Sequence, residues 1–273
     1  TIGADYLLLF NGISLNIDAQ EAERVATVKG VKKVHPDYGV KALLQDSVPL
    51  IGADKVWTQD VEGNECVKSG KECLTGKGVK IAILDSGVDY THPDLGGCTK
   101  EQFLAKQCSK VVDGYDFVNK DGDPMDDLGH GTHVAAIATG NGLLKGVAPD
   151  AQIIAYKVLP NIGSGFSKDV ISGIERSVDP NNDGKTQDHV DVISMSLGGW
   201  GSPDDPESKA VDNAVMAGVV VVVDAGNSGP IASTIDSPAD ARLAITVGSY
   251  DKKEIVAEYS SRGPVRWGLK YGD

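Results

Sequence analysis

Five apolar runs recur along the chain: "VKIAILD" (79–85), "AQIIAYKVL" (151–159), "VDVISMSL" (190–197), "GVVVVVDAG" (218–226) and "LAITVGS" (243–249). In the first, Val79, Ile81 and Ile83 alternate with Lys80, Ala82 and Leu84, so nearly both faces are apolar. Runs of this kind suit strands covered on both sides, the condition of a parallel sheet. Helical patterns separate them, in "GTHVAAIATG" (131–140), "FSKDVISGIERSV" (166–178) and "PESKAVDNAVMAG" (206–218). The alternation predicts an α/β fold, a doubly wound and mostly parallel sheet with right-handed crossovers. Chemistry in such sheets gathers at the carboxyl ends of the strands.

At 273 residues the chain has room for one large domain with a small companion. It holds no apolar run near the roughly 18 residues that a membrane span needs. The net charge of −13 is spread along the sequence, which disfavours nucleic acid and anionic lipid as partners. The first residue is Thr1, and no leader precedes it, which reads as a processed chain or a fragment.

Residues 1–45 follow a different pattern. "YLLLFNGISLNI" reads as strand, turn, strand, and "DAQEAERVATVKG" as a short helix with Asp18 as N-cap and Gly30 as stop. "VKKVHPDYGV" reads as a returning strand, and "LLQDSVPLIGADKVW" as a connection. The four cysteines form two close couples, Cys66 with Cys73 and Cys98 with Cys108. Neither has the short knuckle of a zinc site, so two local disulfides are expected, and with them an oxidising compartment; reduced surface thiols are the alternative.

Three polar signals punctuate the apolar runs. Asp85 ends the first strand, where an acid is commonly a turn or cap residue. His130 lies between two glycines, with His133 three positions on and no intervening Glu, which argues against a zinc helix and leaves a proton-moving or a structural histidine. Asn227 follows Gly226 at the end of the valine strand, where it is either a turn residue or a donor aimed at an oxyanion.

Taken in order, "AILDSGVDYTHPDL", "GHGTHVAAIATG", "ISMSLGG" and "AGNSGP" resemble the motifs of the subtilisin-like serine proteases. The resemblance covers residues 79 to about 264, and residues 1–45 resemble the C-terminal part of an inhibitory propeptide, a ferredoxin-like α+β unit. It implies a subtilisin-like catalytic domain over 46–273 and a secreted, monomeric serine endopeptidase. It makes Asp85 the residue that orients the imidazole, His130 the general base, Asn227 the oxyanion donor and His133 structural. Gly163, Ser164 and Gly165, with Ser196, Leu197 and Gly198, would hold an extended polypeptide substrate as an added strand. Ala136 stands where the family usually has Gly. Asp224 stands where a small neutral residue is usual; facing the first specificity pocket it would favour a basic side chain, and pointing away it would be a solvated turn acid.

The family's serine lies in a Gly-Thr-Ser-Met-Ala-type segment, and none occurs in 1–273. Ser86, Ser164, Ser196 and Ser228 fall in motifs with other roles. The chain as written is therefore expected to be inactive, a proenzyme fragment ending before its nucleophile. The stretch 31–49 is expected to run, extended and cleavable between about Val40 and Val48, into the cleft as an intramolecular inhibitor. A pseudoprotease that binds extended peptides is the alternative; a nucleotide-binding domain is disfavoured because "GKG" precedes its strand.

Two acidic loops point to structural Ca2+. "DFVNKDGDPMDD" supplies Asp116, Asp121 and Asp123, with Asp126 and Asp127, and resembles a calcium loop of thermophilic relatives, although Met125 replaces an oxygen ligand. "DPNNDGKTQD" supplies Asp179, Asn181 and Asp183 at EF-hand spacing, but Val190 stands where the closing Glu belongs.

Overall fold

The computed structural model describes residues 2–6, 12–15, 17–34, 44–253 and 255–265. The chain divides into two compact units, Thr1–Ala42 and Leu43–Asp273.

In the first unit, β1 (Ile2–Tyr6) pairs antiparallel with β2 (Gly12–Leu15), and helix α1 (Ala19–Ala26) follows. Asp18 caps α1, its Oδ1 accepting the Glu21 N–H at 2.8 Å. Residues 31–34 are not strand, against the sequence expectation, and residues 35–40 of that expected strand lie outside the described residues.

The second unit opens with α2 (Leu44–Leu50) and α3 (Ala53–Val56), joined through Gly52 in a left-handed conformation. Residues 44–50, expected to be extended, are thus helical. Val48 is buried there, so the apolar spacing was used by a helix face rather than by a linker. A further short helix, α4 (Cys66–Ser69), carries the first cysteine of the Cys66–Cys73 disulfide, and Cys98–Cys108 forms the second, with Cα atoms 5.2 and 5.8 Å apart.

Six parallel strands form the sheet: β3 (Lys80–Asp85), β4 (Val111–Asp116), β5 (Gln152–Lys157), β6 (Val192–Met195), β7 (Val220–Asp224) and β8 (Ile245–Val247). Their spatial order is β4-β5-β3-β6-β7-β8. The helices α5 (Lys100–Leu104), α6 (His130–Thr139), α7 (Ser167–Val178) and α8 (Pro206–Met216) connect them. The doubly wound α/β architecture is as expected, with β4 as the strand that the apolar pattern did not signal.

The alternation in β3 explains why both faces had to be apolar. Ala82 and Leu84 pack with Ile174 of α7 and Val211 of α8, whereas Ile81 and Ile83 pack with Ala135 of α6, Tyr90 and Phe103. Each buried Leu or Ile contributes about 1.5–3 kcal/mol, so the two layers hold β3 from both sides. The chain places β4 and β5 to one side of β3 and β6 to β8 on the other, so winding reverses at the strand that ends in Asp85.

Candidate active site

Asp85 is buried, at the carboxyl end of β3, with its main chain fixed by the N–H groups of Val158 and Leu159, which bond its carbonyl at 2.8 and 3.1 Å. One carboxylate oxygen, Oδ1, lies 2.7 Å from His130 Nδ1 and also accepts the Ser86 N–H at 2.7 Å. Oδ2 is buried without a hydrogen-bond partner among the described residues. Burial raises the carboxyl above its ordinary range, and the His130 and Ser86 contacts pull it part of the way back. The imidazole itself is 47% exposed, so Nε2 is open to a reactant while Nδ1 is held. An imidazole so held can take a proton at Nε2 and be stabilised as the cation by Asp85.

His130 opens α6, where backbone N–H groups lack helical partners. Asp126 satisfies them: Oδ1 accepts from Leu128 and Gly129, and Oδ2 from the Thr132 N–H and hydroxyl. Burial alone would raise the Asp126 carboxyl, but the Thr132 hydroxyl and these N–H groups outweigh it and hold it below its ordinary range. Ser86 joins the two sides, donating to Asp126 at 2.9 Å and accepting the Gly131 N–H at 2.9 Å. A Cβ on Gly131 would stand 2.1 Å from the Gly87 carbonyl oxygen, so only glycine lets α6 approach β3 this closely.

The segments 163–165 and 196–198 follow the ends of β5 and β6. A Cβ at Gly163 would lie 3.4 Å from Leu128, two residues before His130, and one at Gly198 would lie 3.1 Å from the Asp236 side chain. Asn227 is exposed three residues beyond β7, past Gly226, whose positive φ of 96° makes the turn. Asp224 ends β7. Its Oδ2 accepts the Gly226 N–H at 3.0 Å, and its Oδ1 is buried and unpartnered among the described residues. It is therefore not a solvated turn acid. A Cβ on Gly226 would meet Asp236 Oδ2 at 2.1 Å, so a second acid backs the same turn. Burial raises both carboxyls. The Gly226 N–H and then His130 oppose the shift at Asp224 while Asp85 adds to it, and the Asp224 charge raises Asp236 further.

Comparison with known proteins gives the family. The sequence model of the subtilase family matches residues 76–271. The chain belongs to the subtilase family. It is 38% identical over 275 residues to the minor extracellular protease Vpr of Bacillus subtilis (strain 168), covering 91% of this chain and 30% of Vpr. It is 38% identical over 260 residues to serine protease AprX of the same organism, covering 89% of this chain and 53% of AprX. The chain thus spans about half or less of the length of these two relatives. Among solved structures it resembles a cold adapted subtilisin-like serine proteinase, with a TM-score of 0.59, 31% identity, and coverage of 78% of this chain and 68% of the other.

In this subtilase the acidic loops are arranged differently from the expected calcium sites. Asp116 is buried, and its two oxygens accept the backbone and side-chain N–H groups of Asn119, each at 2.7 Å. Asp121 accepts the Asp123 N–H, while Asp123 pairs with Lys100 and the Tyr90 hydroxyl. In the second loop Asp179 accepts from Asp183 and Gly184, Asn181 from Asp183, and Asp183 from Lys185. Among the described residues no three His, Cys, Asp or Glu side chains gather as a ligand cluster. As arranged, these carboxylates share their oxygens with N–H groups and, at Asp123, with an ammonium group. The sequence reading missed Ser86 and Asp126 as supports of the Asp85–His130 pair. The only signal was their place beside Asp85 and before His130.

Proposed function

We propose that this subtilase is a secreted serine endopeptidase in which Asp85 orients His130 and His130 acts as general base and then general acid. The observation that carries the reading is the 2.7 Å contact from His130 Nδ1 to an Asp85 carboxylate buried at the end of β3. Asn227 donates to the oxyanion, and an extended polypeptide substrate lies between 163–165 and 196–198. Among the described residues no serine hydroxyl bonds His130, and Ser86 is engaged by Asp126 and Gly131. The reading gives the nucleophile's role to the serine of the family's Gly-Thr-Ser-Met-Ala-type segment, which does not occur in 1–273. Residues 1–45 act as the inhibitory propeptide end. The extracellular name of Vpr and the two disulfides support secretion.

The protein expressed from its complete coding sequence should react with a fluorophosphonate and cleave peptides. Residues 1–273 alone should do neither. Labelling that persists in His130→Ala would refute the reading. Asp236, which backs both Gly198 and Gly226, and Asp224, which accepts the Gly226 N–H, further favour a basic side chain just before the cleaved bond. Substrates with Arg there should exceed those with Ala by tenfold or more, which corresponds to about 1.4 kcal/mol, and Asp224→Asn should remove that preference.

A further inference from the structure

Lys157 is the largest charged side chain withdrawn from solvent among the described residues, at 1% exposure, and neither catalysis nor substrate binding uses it. It ends β5, level in register with Asp85 of β3 on one side and Asp116 of β4 on the other. Its ammonium donates to the Ser86 carbonyl at 2.7 Å and forms an ion pair with Asp127. An ammonium withdrawn from water costs several kcal/mol unless partners replace its hydration. These two partners are therefore held firmly, and both flank the catalytic pair. Ser86 follows Asp85 and bonds its Oδ1, while its hydroxyl holds Gly131 of α6 and Asp126. Asp127 belongs to the turn that delivers His130, two residues before its N-cap Gly129. One cation thus ties together the end of β5, the peptide after Asp85 and the turn before His130.

The acidic loop gives this cation a second consequence. Asp121, Asp123, Asp126 and Asp127 crowd into seven positions, and such a cluster needs positive charge. Here the chain supplies it, from Lys157 at Asp127 and Lys100 at Asp123. We propose that Lys157 is a positioning residue: its ammonium is the resident cation of the loop before His130 and, through Ser86 and Asp127, sets the Asp85–His130 hydrogen bond without a metal ion. The proposal rests on the functional reading only in treating that pair as catalytic, and its test reads the hydrogen bond itself.

The test uses the complete protein with 15N-labelled histidine. The low-field Nδ1 proton of His130 is assigned by its loss in His130→Gln, with His92 and His189 as internal references. Lys157→Met should shift or broaden that resonance and speed its exchange with water tenfold or more. Asp127→Asn, at a half-exposed site that tolerates change, should have the same effect to a smaller degree. Ile174→Val, which loosens the core on the α7 face of the sheet without touching Ser86 or Asp127, should lower Tm and leave the resonance in place. Chelation of calcium should also leave it in place. In activity assays Lys157→Met should lower kcat with KM nearly unchanged. An unmoved resonance in a folded Lys157→Met protein overturns the proposal, as does loss of the wild-type resonance on chelation. If Lys157→Met does not fold, an unmoved resonance in Asp127→Asn overturns it. Activity that survives His130→Ala would instead remove the functional reading and leave the Lys157 result standing.

Discussion

A partly buried lysine and a fully buried one sit at opposite ends of the same sheet and show how its ends differ. Lys110, just before β4, donates to the Pro149 and Ala151 carbonyls at 2.6 and 2.8 Å and forms no ion pair among the described residues. Burial lowers its pKa to about 8, and the more distant Asp150 only partly opposes this. Lys157, at the other end, meets a carbonyl and a carboxylate. The difference comes from the parallel arrangement. Asp85, Asp116 and Asp224 all terminate strands, so carboxylates collect at one end, while Lys110 at the start of β4 meets main-chain carbonyls and follows Cys108 of a disulfide by two residues. The carboxyl end is built for chemistry and the amino end for stability.

The sharpest way to break that division is at the Asp85–His130 pair, which the proposed function makes catalytic. In the complete enzyme, His130→Ala or Asp85→Asn should lower kcat/KM roughly 10⁴-fold. The melting temperature should barely change, because Asp85 is held in place at the expense of its own ionisation. A large loss of stability with activity retained would invert the comparison. Replacing both Cys98 and Cys108 by Ser tests the other end. It should cost about 2–3 kcal/mol in chemical unfolding and leave kcat of the folded enzyme unchanged.

Lys110 gives a finer test, through pH. Its folded pKa of about 8 lies below the ordinary 10.5, so the unfolded chain binds the extra proton between those values. The cost of burying the ammonium is present in full below pH 8 and is relieved as pH rises towards 10.5. Wild-type stability should therefore gain about 1–3 kcal/mol relative to Lys110→Met between pH 7 and 10, read from urea midpoints. A constant difference would mean that Lys110 is better compensated than its two carbonyls suggest. The smallest effect is expected at the exposed second acidic loop, where Asp183→Ala removes only local turn bonds. It should change stability by about 0.5 kcal/mol or less, with or without calcium.

Much of the fold was legible because burial on two faces leaves a mark on sequence. The runs around β3, β5, β6 and β7 had to be apolar throughout. β4 escaped notice because its middle residues are only partly buried and include Asp113 and Gly114, so no unbroken run marks it. The helix over 44–50 was missed because seven residues with a proline carry too little periodicity to distinguish it from a linker. The acidic loops show a related limit. Carboxylate spacing shows which oxygens are near one another, but not whether an N–H or an ammonium reaches them first.

The sequence alone determined five of the six strands of the main sheet, the cysteine couples and the order of Asp85, His130 and Asn227, because each is a local pattern of residue type and spacing. Only the tertiary structure decided what those groups meet. The Asp85–His130 pair is 45 residues apart, Ser86 reaches Asp126 across 40, and Lys157 reaches Ser86 across 71. Contacts over such separations follow from strand order and register, and a short stretch of sequence does not encode them.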